Sequence, residues 1–257
     1  VLDLFNIIPD YDLNVMKKNQ SLSEVTSNII TKLSPILSEF EPDLILVHGD
    51  TTTTFTATLS GFYHQIPVGH VEAGLRTGNI LSPWPEEGNR KLVSCLTEMH
   101  FAPTQQAMDN LLEENIHKNK ITITGNTVID ALFMMKDKIE NDKILSSKLC
   151  QMFPFTKNKN RIVLVTGHRR ENFGEGFENI CESLKLLAKI NQDVNFVYPV
   201  HFNPRVREPV NDLLTGIDNI HLIEPQGYLE FVYLMINSDI ILTDSGGIQK
   251  ESYFMKK

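Results

Sequence analysis

Three acidic residues near the predicted ends of buried segments are the clearest candidates for chemistry in this chain of 257 residues. Asp50 and Glu72 each come shortly after a short apolar run, and Glu86 follows the sequence Pro-Trp-Pro. In open parallel α/β sheets, ligands bind outside the carboxyl ends of the strands, so we expect these three side chains to share one crevice. Crowded carboxylates in a partly dry crevice repel one another, and some acquire a raised pKa. Such groups would suit the removal of a proton from carbon and its return.

Helix capping is a second interpretation of the same acidic residues. Asp50 is placed to cap a helix that starts at Thr52, and Glu86 follows Pro85 at a predicted helix N-terminus. For Glu72, capping is the weaker interpretation, because the residue follows a buried strand and precedes an Ala-Gly pair. Capping and catalysis are compatible, so both interpretations stay open.

Histidine and arginine side chains lie close to these carboxylates in the sequence. We assign His48 and His70 to packing, and Arg76 and Arg90 are candidates to pair with the carboxylates. The eight histidines include no pair at i, i+4, and none has a cysteine at ligand spacing. The sequence therefore predicts no metal site.

A second group of candidate residues lies in the last third of the chain. His168 and Arg169 follow an apolar run and are placed to hold a diphosphate, since a guanidinium binds phosphate with two parallel hydrogen bonds. His168 is also placed to donate a proton to a leaving phosphate oxygen. A salt-bridged loop with Glu171 and Glu175 is an equally good interpretation. His201 ends another apolar run, and a second histidine at a strand end favours a site.

The sequence Thr-Asp-Ser-Gly-Gly near the C-terminus predicts a strand-to-helix turn. Ser245, Gly246 and Gly247 would present backbone N–H groups at a helix N-terminus, which suits phosphate. Ordinary N-capping by Ser245 is the alternative, and the short glycine motif by itself favours it. Glu251 is within reach of a ribose hydroxyl, although an isolated glutamate is more often a solvated surface residue.

Composition restricts the classes of function. A formal net charge of −8 and the lack of a basic stripe with aromatics disfavour a nucleic-acid partner. No apolar run approaches the about 20 residues of a membrane span, and the start of the chain has no signal-peptide pattern. Three widely spaced cysteines are typical of reduced thiols, so we expect a cytoplasmic protein with no membrane partner.

Apolar strands alternate with amphipathic helices along the chain, which predicts parallel sheets and an α/β fold class. Ser21 and Glu24 have the spacing of a capping box that opens the first helix. A polar stretch over residues 137–160 predicts a domain boundary, which gives one domain over residues 1–155 and another over residues 156–257. We expect the two sheets to face each other across a cleft, with both domains incomplete.

Several motifs, taken in order, resemble one family. HGDTTTT, GHVEAGLRTG, SPWPEEGNR, ITGNTVIDAL, VTGHRREN, PVHFNP and TDSGGIQ are similar to those of the bacterial non-hydrolysing UDP-N-acetylglucosamine 2-epimerases. The resemblance covers nearly the whole chain. It implies two Rossmann-like domains in a glycosyltransferase-B-like architecture, a homodimer, and no metal or nicotinamide cofactor.

The resemblance also implies a reaction and a set of roles. UDP-N-acetylglucosamine would lose UDP to give 2-acetamidoglucal, and UDP would add back to give UDP-N-acetylmannosamine. Asp50, Glu72 and Glu86 match the acid–base positions, and His168 matches a residue that assists departure of UDP. The remaining matches are binding positions: His201, Ser245, Gly246 and Gly247 for the UDP phosphates, and Glu251 for the ribose.

Two departures from the family pattern qualify these expectations. Lys250 stands beside Glu251 where the family usually has an acidic residue. The family's first βαβ portion, which carries residues for substrate and for UDP-N-acetylglucosamine as an allosteric activator, has no counterpart here, and neither does its C-terminal end. We therefore expect low activity from these 257 residues alone.

Three other functions are alternatives to epimerisation. A hydrolysing relative would release N-acetylmannosamine and UDP. A glycosyltransferase on the same scaffold would have no need of three acidic groups to remove a C2 proton. A catalytically dead sugar-nucleotide-binding module would bind UDP without exchange at C2.

Overall fold

The computed structural model describes residues 1–157, 160–167 and 173–257 of the chain. It divides into two compact units, each built on one parallel four-stranded sheet. The N-terminal unit is Ile7–Thr127, and the C-terminal unit is Val128–Lys257 together with Val1–Asn6. The predicted fold class, α/β with two Rossmann-like sheets, is confirmed.

The N-terminal unit alternates helices and strands around a sheet of order β1-β2-β3-β4. Its strands are β1 (Ile45–His48), β2 (Val68–Val71), β3 (Met99–Ala102) and β4 (Ile121–Ile123). Its helices are α1 (Leu22–Phe40), α2 (Thr52–Tyr63), α3 (Glu86–Leu96) and α4 (Gln105–Glu113).

The C-terminal unit has a sheet of order β7-β6-β5-β8, all parallel. Its strands are β5 (Arg161–Thr166), β6 (Val194–Pro199), β7 (Ile220–Ile223) and β8 (Ile240–Thr243). Its helices are α5 (Thr127–Asn141), α6 (Lys143–Met152), α7 (Glu175–Ile190), α8 (Pro204–Leu214), α9 (Tyr228–Asn237) and α10 (Gly246–Met255).

Local sequence signals explain where several elements begin and end. The capping box at α1 is confirmed: Ser21 Oγ accepts from the Glu24 N–H at 3.2 Å, and the Glu24 carboxylate accepts from the Ser21 N–H at 2.7 Å. Pro209 lies inside α8 and does not end that helix. Among the described residues, no helix is long and apolar enough to cross a membrane.

The boundary between the units lies at residues 127 and 128, earlier than our placement at residues 155 and 156. The polar stretch after residue 137 contains the end of α5 and the whole of α6, which begins after the N-cap Asp142. Buried side chains of both helices, Leu132, Met135 and Leu149, pack in the same core as β5 and α9. The exposed polar faces of α5 and α6 give this stretch the composition of a linker, although the helices cover the second sheet.

Candidate active site

Asp50 is tied to α3 by an arginine that contacts two carboxylates. Arg90 donates from Nε at 3.1 Å and from Nη2 at 2.7 Å to Asp50 Oδ2, and from Nη1 at 2.9 Å to Glu87 Oε2. Asn89 Nδ2 donates to the Asp50 carbonyl oxygen at 2.9 Å. Burial opposes the charge on Arg90, but its hydrogen bonds to the two carboxylates outweigh burial, and the pKa of Arg90 is raised.

The helix start that we assigned to Glu86 holds two glutamates with different surroundings. Glu87 is 0 % exposed and also accepts from the backbone N–H groups of Thr77 and Gly78, at 3.0 and 3.3 Å. Burial opposes its ionisation, but these bonds and Arg90 outweigh burial, and the pKa of Glu87 is lowered. Glu86 is partly exposed at the first position of α3. Among the hydrogen bonds of the described residues, none joins Glu86 to Asp50 or Glu72.

Glu72 lies immediately after β2 and has a left-handed backbone, with φ of 66°. A non-glycine residue in this region is uncommon and carries strain that the surrounding structure must hold. Asn126 Nδ2 donates to Glu72 Oε1 at 3.2 Å. The other oxygen, Oε2, is 3.8 Å from the position that a Cβ on Gly49 would occupy. The structure therefore brings the Glu72 carboxylate to the residue that precedes Asp50, as the strand-end argument predicts.

The histidine and arginine candidates near the carboxylates differ in burial and in their partners. His70 is buried, as predicted, whereas His48 is exposed rather than packed in the core. Arg90 pairs with Asp50, as predicted. Arg76 pairs instead with Glu114, donating from Nε at 2.9 Å and from Nη2 at 2.7 Å, because Glu114 at the end of α4 lies beside the loop that follows β2.

The Gly-Gly turn of the C-terminal unit is a strand-to-helix turn, as predicted. Ser245 is the N-cap of α10, and its side chain makes no capping hydrogen bond. Its N–H instead donates to Thr243 Oγ1 at 3.0 Å. The first N–H groups of α10, at Gly246 and Gly247, have no partner within the helix, as at any helix start. They form a suitable site for an anion.

Glu251 is 8 % exposed and is not the solvated residue that an isolated glutamate suggests. Burial raises the pKa of its carboxyl group, and the pKa of Tyr228 is raised by burial and by the charge of Glu251. Helices α9 and α10 contact each other, and Tyr228 belongs to α9. A buried carboxylate with a raised pKa is a candidate ligand-binding group, as predicted for Glu251 from the family resemblance.

His201 follows β6 at the surface of the C-terminal unit, where its Nδ1 accepts from the Asn203 N–H at 3.1 Å. This bond fixes the tautomer of the neutral ring, so that Nε2 carries the proton and can donate to an oxygen. His168 and Arg169 lie outside the described residues. Within the part of the chain that is described, no group of three His, Cys, Asp or Glu side chains is arranged to hold a metal ion.

Sequence reasoning missed three contributors to the site: Glu87, Asn89 and Asn126. Glu86 and Glu87 lie four and three residues before Arg90, so the spacing could have predicted an ion pair within α3, but not that Glu87 is the partner. Asn126 follows β4 in the sequence Gly-Asn-Thr, and the same strand-end argument that selected Asp50 and Glu72 applies to it. Asn89 had no such signal, because its bond is to a backbone carbonyl.

Comparisons with known proteins match the whole chain to one family. The family model described as UDP-N-acetylglucosamine 2-epimerase matches residues 1–257. The UDP-N-acetylglucosamine 2-epimerase of Yersinia pestis is 58% identical over 252 residues, which cover 98% of this chain and 67% of the relative.

Solved structures agree with the sequence match. The enzyme of Neisseria meningitidis bound to UDP-GlcNAc aligns with a TM-score of 0.92 and 55% identity, covering 100% of this chain and 69% of that one. The enzyme of Methanocaldococcus jannaschii in complex with UDP-GlcNAc and UDP aligns with a TM-score of 0.78 and 33% identity, covering 99% and 69%.

The fold and the strand-end side chains define an α/β protein with two Rossmann-like units and acidic side chains after β1 and β2. The chain belongs to the UDP-N-acetylglucosamine 2-epimerase family, whose members are isomerases.

Proposed function

We propose that this chain carries the machinery for reversible, non-hydrolysing epimerisation at C2 of UDP-N-acetylglucosamine, giving UDP-N-acetylmannosamine. The observation that supports the proposal most directly is the cluster at the ends of β1 and β2. There Asp50 is held by Arg90, and Glu72 lies beside Gly49. Relatives at 55% and 33% identity bind UDP-GlcNAc in their solved structures.

The proposed chemistry is an elimination followed by an addition. A carboxylate takes the C2 proton, the C2–H electron pair forms the C1–C2 double bond, and the C1–O bond breaks with its electron pair leaving on UDP. The product pair is UDP and 2-acetamidoglucal. A carboxylic acid then returns a proton to the other face of C2, while a UDP oxygen bonds to C1. The sequence of steps is redox-neutral and consumes no water, so it needs no nicotinamide and no oxidant.

The acid–base groups are assigned to the N-terminal unit. Asp50, Glu72 and Glu86 are the proposed proton-transfer carboxylates, and Glu87 is the structural one, because its oxygens are already occupied by Arg90 and two backbone N–H groups. Arg90 keeps Asp50 oriented by two donors on one carboxylate oxygen.

The nucleotide-binding groups are assigned to the C-terminal unit. The turn of Ser245, Gly246 and Gly247 would bind phosphate through backbone N–H groups, and His201 Nε2–H would donate to a phosphate oxygen. Glu251 would accept from ribose hydroxyls, which would supply the hydrogen bonds that a buried carboxylate needs. His168 and Arg169 are proposed to assist departure of UDP. A homodimer in the cytoplasm, with UDP-N-acetylglucosamine also acting as an activator, completes the proposal.

Incubation of the chain with UDP-N-acetylglucosamine in heavy water tests the proposal. Deuterium at C2 of recovered substrate, together with UDP-N-acetylmannosamine, is the expected result, and Asp50→Asn is expected to abolish both. The exchange is measured at high protein concentration over hours, because we expect a low rate from this chain. Free N-acetylmannosamine with UDP would show a hydrolysing enzyme. Sugar transfer without deuterium would show a transferase, and UDP binding without exchange would show a binding module.

A further inference from the structure

A buried histidine beneath the carboxylate cluster has no part in the chemistry assigned above. His70 is the third residue of β2 and is 0 % exposed. Its Nε2 is 2.7 Å from the carbonyl oxygen of Gly49. Because a carbonyl oxygen can only accept, Nε2 must carry the proton. Burial lowers the pKa of His70, which favours the neutral ring with its proton on Nε2.

Packing alone does not account for a histidine at this position. Nδ1 is buried and has no hydrogen-bond partner among the described residues. An apolar side chain of similar volume would fill the same space without placing a polar nitrogen in the sheet. The feature specific to histidine here is therefore the Nε2–H bond to Gly49.

Gly49 is the residue that links the two carboxylates. It has a φ of 75°, in the left-handed region that favours glycine, and its N–H donates to the Val71 carbonyl oxygen at 3.1 Å. Asp50 follows it in the chain, and Glu72 Oε2 lies over it. The preceding peptide is held as well, since Thr54 Oγ1 donates to the His48 carbonyl oxygen at 2.6 Å.

We propose that His70 is a positioning residue for proton transfer: its Nε2–H fixes the Gly49 peptide and so sets the separation of the Asp50 and Glu72 carboxylates. The effect on proton transfer rests on the proposed function. The hydrogen bond from His70 to Gly49, and its effect on where the two carboxylates lie, concern only the N-terminal unit. His70 touches no substrate atom in this scheme and acts through the Gly49 peptide.

The neighbouring strand supplies a matched control. His100 pairs with His70 in the β2–β3 register and is 1 % exposed. Neither of its ring nitrogens has a hydrogen-bond partner among the described residues. The two histidines thus share burial and location in the sheet, but only His70 is bonded to the Gly49 carbonyl.

Three variants of the full chain separate positioning from packing: His70→Asn, His70→Gln and His100→Asn. The side-chain N–H of glutamine can lie at about the position of His70 Nε2 and so can donate to the Gly49 carbonyl oxygen. The asparagine side chain is about one bond too short to do so. We expect His70→Asn to lower kcat for C2 exchange about 10- to 100-fold with little change in KM, because small misplacements of reacting groups are that costly. His70→Gln is expected to restore most of kcat, and His100→Asn to leave kcat unchanged once the folded fraction is accounted for.

A second measurement does not depend on activity. Carbon-13 NMR titration of the Asp50 and Glu72 carboxyl groups is expected to show shifted midpoints in His70→Asn and near-native midpoints in His70→Gln and His100→Asn. If the wild-type chain shows no exchange, the proposed function fails for this chain, and the titrations still decide the positioning role. Native midpoints and native exchange in His70→Asn would overturn the inference, and so would equal effects from His70→Asn and His100→Asn.

Discussion

Arg90 is the residue on which the geometry of the carboxylate cluster depends. Its planar guanidinium reaches Asp50 with two nitrogens and Glu87 with the third; the Glu87 side chain is fully buried and the Asp50 side chain is partly buried. Shielding strengthens each contact and raises the cost of leaving a partner unpaired.

Arg90→Lys tests whether the cluster needs a guanidinium that contacts both carboxylates at once. A lysine keeps the charge but is a single point donor that cannot span both carboxylates. We expect loss of about 2–4 kcal/mol of stability and at least about a 100-fold fall in C2 exchange. Arg76→Lys is the control, because it removes a pair of guanidinium hydrogen bonds to Glu114, which lies outside the cluster. It should lower stability without lowering exchange per folded molecule, and an equal fall in exchange would refute the role given to Arg90.

Glu251→Gln tests whether a buried carboxylate is kept for a ligand at a cost in stability. The pKa of Glu251 is raised in the folded chain, so above its ordinary value of 4.5 the unfolded chain releases this proton more readily than the folded chain. Stability is therefore lost as pH rises through the folded pKa, and a neutral amide removes that loss. We expect a higher urea midpoint at pH 7.5 and UDP binding weakened about 10- to 100-fold by calorimetry. A lower midpoint with unchanged binding would contradict both parts.

At the scale of elements, the backbone of the loop between β2 and α3 lies close against the backbone of α4. Gly74 has a φ of 86°, and a Cβ there would lie 2.1 Å from the carbonyl oxygen of Ala107 in α4. Asn110 of α4 donates to the Gly74 carbonyl oxygen at 2.9 Å. The loop that carries Thr77 and Gly78 to Glu87 is thus anchored on α4.

Gly74→Ala and Gly78→Ala separate this contact from backbone strain alone. Both glycines have positive φ, but a Cβ on Gly78 would meet nothing within 4 Å. We expect Gly78→Ala to cost about 1 kcal/mol and Gly74→Ala at least about 3 kcal/mol, because only the latter displaces backbone. Urea unfolding followed by the fluorescence of Trp84, the single tryptophan of the chain, measures the difference. Similar losses in the two variants would show that strain, not the approach to α4, dominates.

Helix α6 gives a second prediction at this scale. Leu149 is 2 % exposed in the core of the C-terminal unit, and Ile144 on the same helix is 85 % exposed. Leu149→Ala should cost about 2–5 kcal/mol, and Ile144→Ala should change stability by less than about 0.5 kcal/mol. Hydrogen exchange of β5 amides is the measurement. Native protection of β5 in Leu149→Ala would mean that α6 is a linker, as its composition suggests.

At the scale of the whole molecule, buried histidines make stability depend on pH. Burial lowers the pKa of His100 from 6.5 to about 4, and the pKa of His70 is also lowered. Between these values the unfolded chain binds more protons than the folded chain, so stability rises with pH. The pKa values of Glu87 and Glu114 are lowered as well. These glutamates reduce the stability of the folded chain only when the pH falls to near 4.5, their ordinary pKa.

We therefore expect the free energy of unfolding of the N-terminal unit to fall by roughly a few kcal/mol as the pH decreases from about 6.5 toward 4. The urea midpoint should fall with it. Trp84 fluorescence follows this unit. His100→Asn should flatten the slope between pH 6.5 and 5, where glutamates contribute little. A midpoint independent of pH in that range would show that the pKa values of these histidines are not lowered in the folded chain. An unchanged slope in His100→Asn would show that His100 is not the cause of the pH dependence.

Much of the fold followed from local patterns. The predicted alternation of apolar strands with helices is present, because short apolar runs between turn signals are typical of buried parallel strands. The α1 capping box and the Ser-Gly-Gly turn were also predicted, since each depends on residues within about one helical turn. Helix α6 was missed, because a helix with one buried stripe and a polar face has the composition of a linker.

The sequence by itself determined the α/β class, the strand ends and the residues placed there, since all of these depend on near neighbours in the chain. Only the tertiary structure decided which of the adjacent glutamates Arg90 neutralises, because consecutive helix residues point about 100° apart and their directions depend on how α3 packs. It also decided that Glu251 is buried, that α5 and α6 cover the second sheet, and that His70 holds Gly49. Each of these is a contact between segments distant in the chain, and no local pattern encodes which faces will meet.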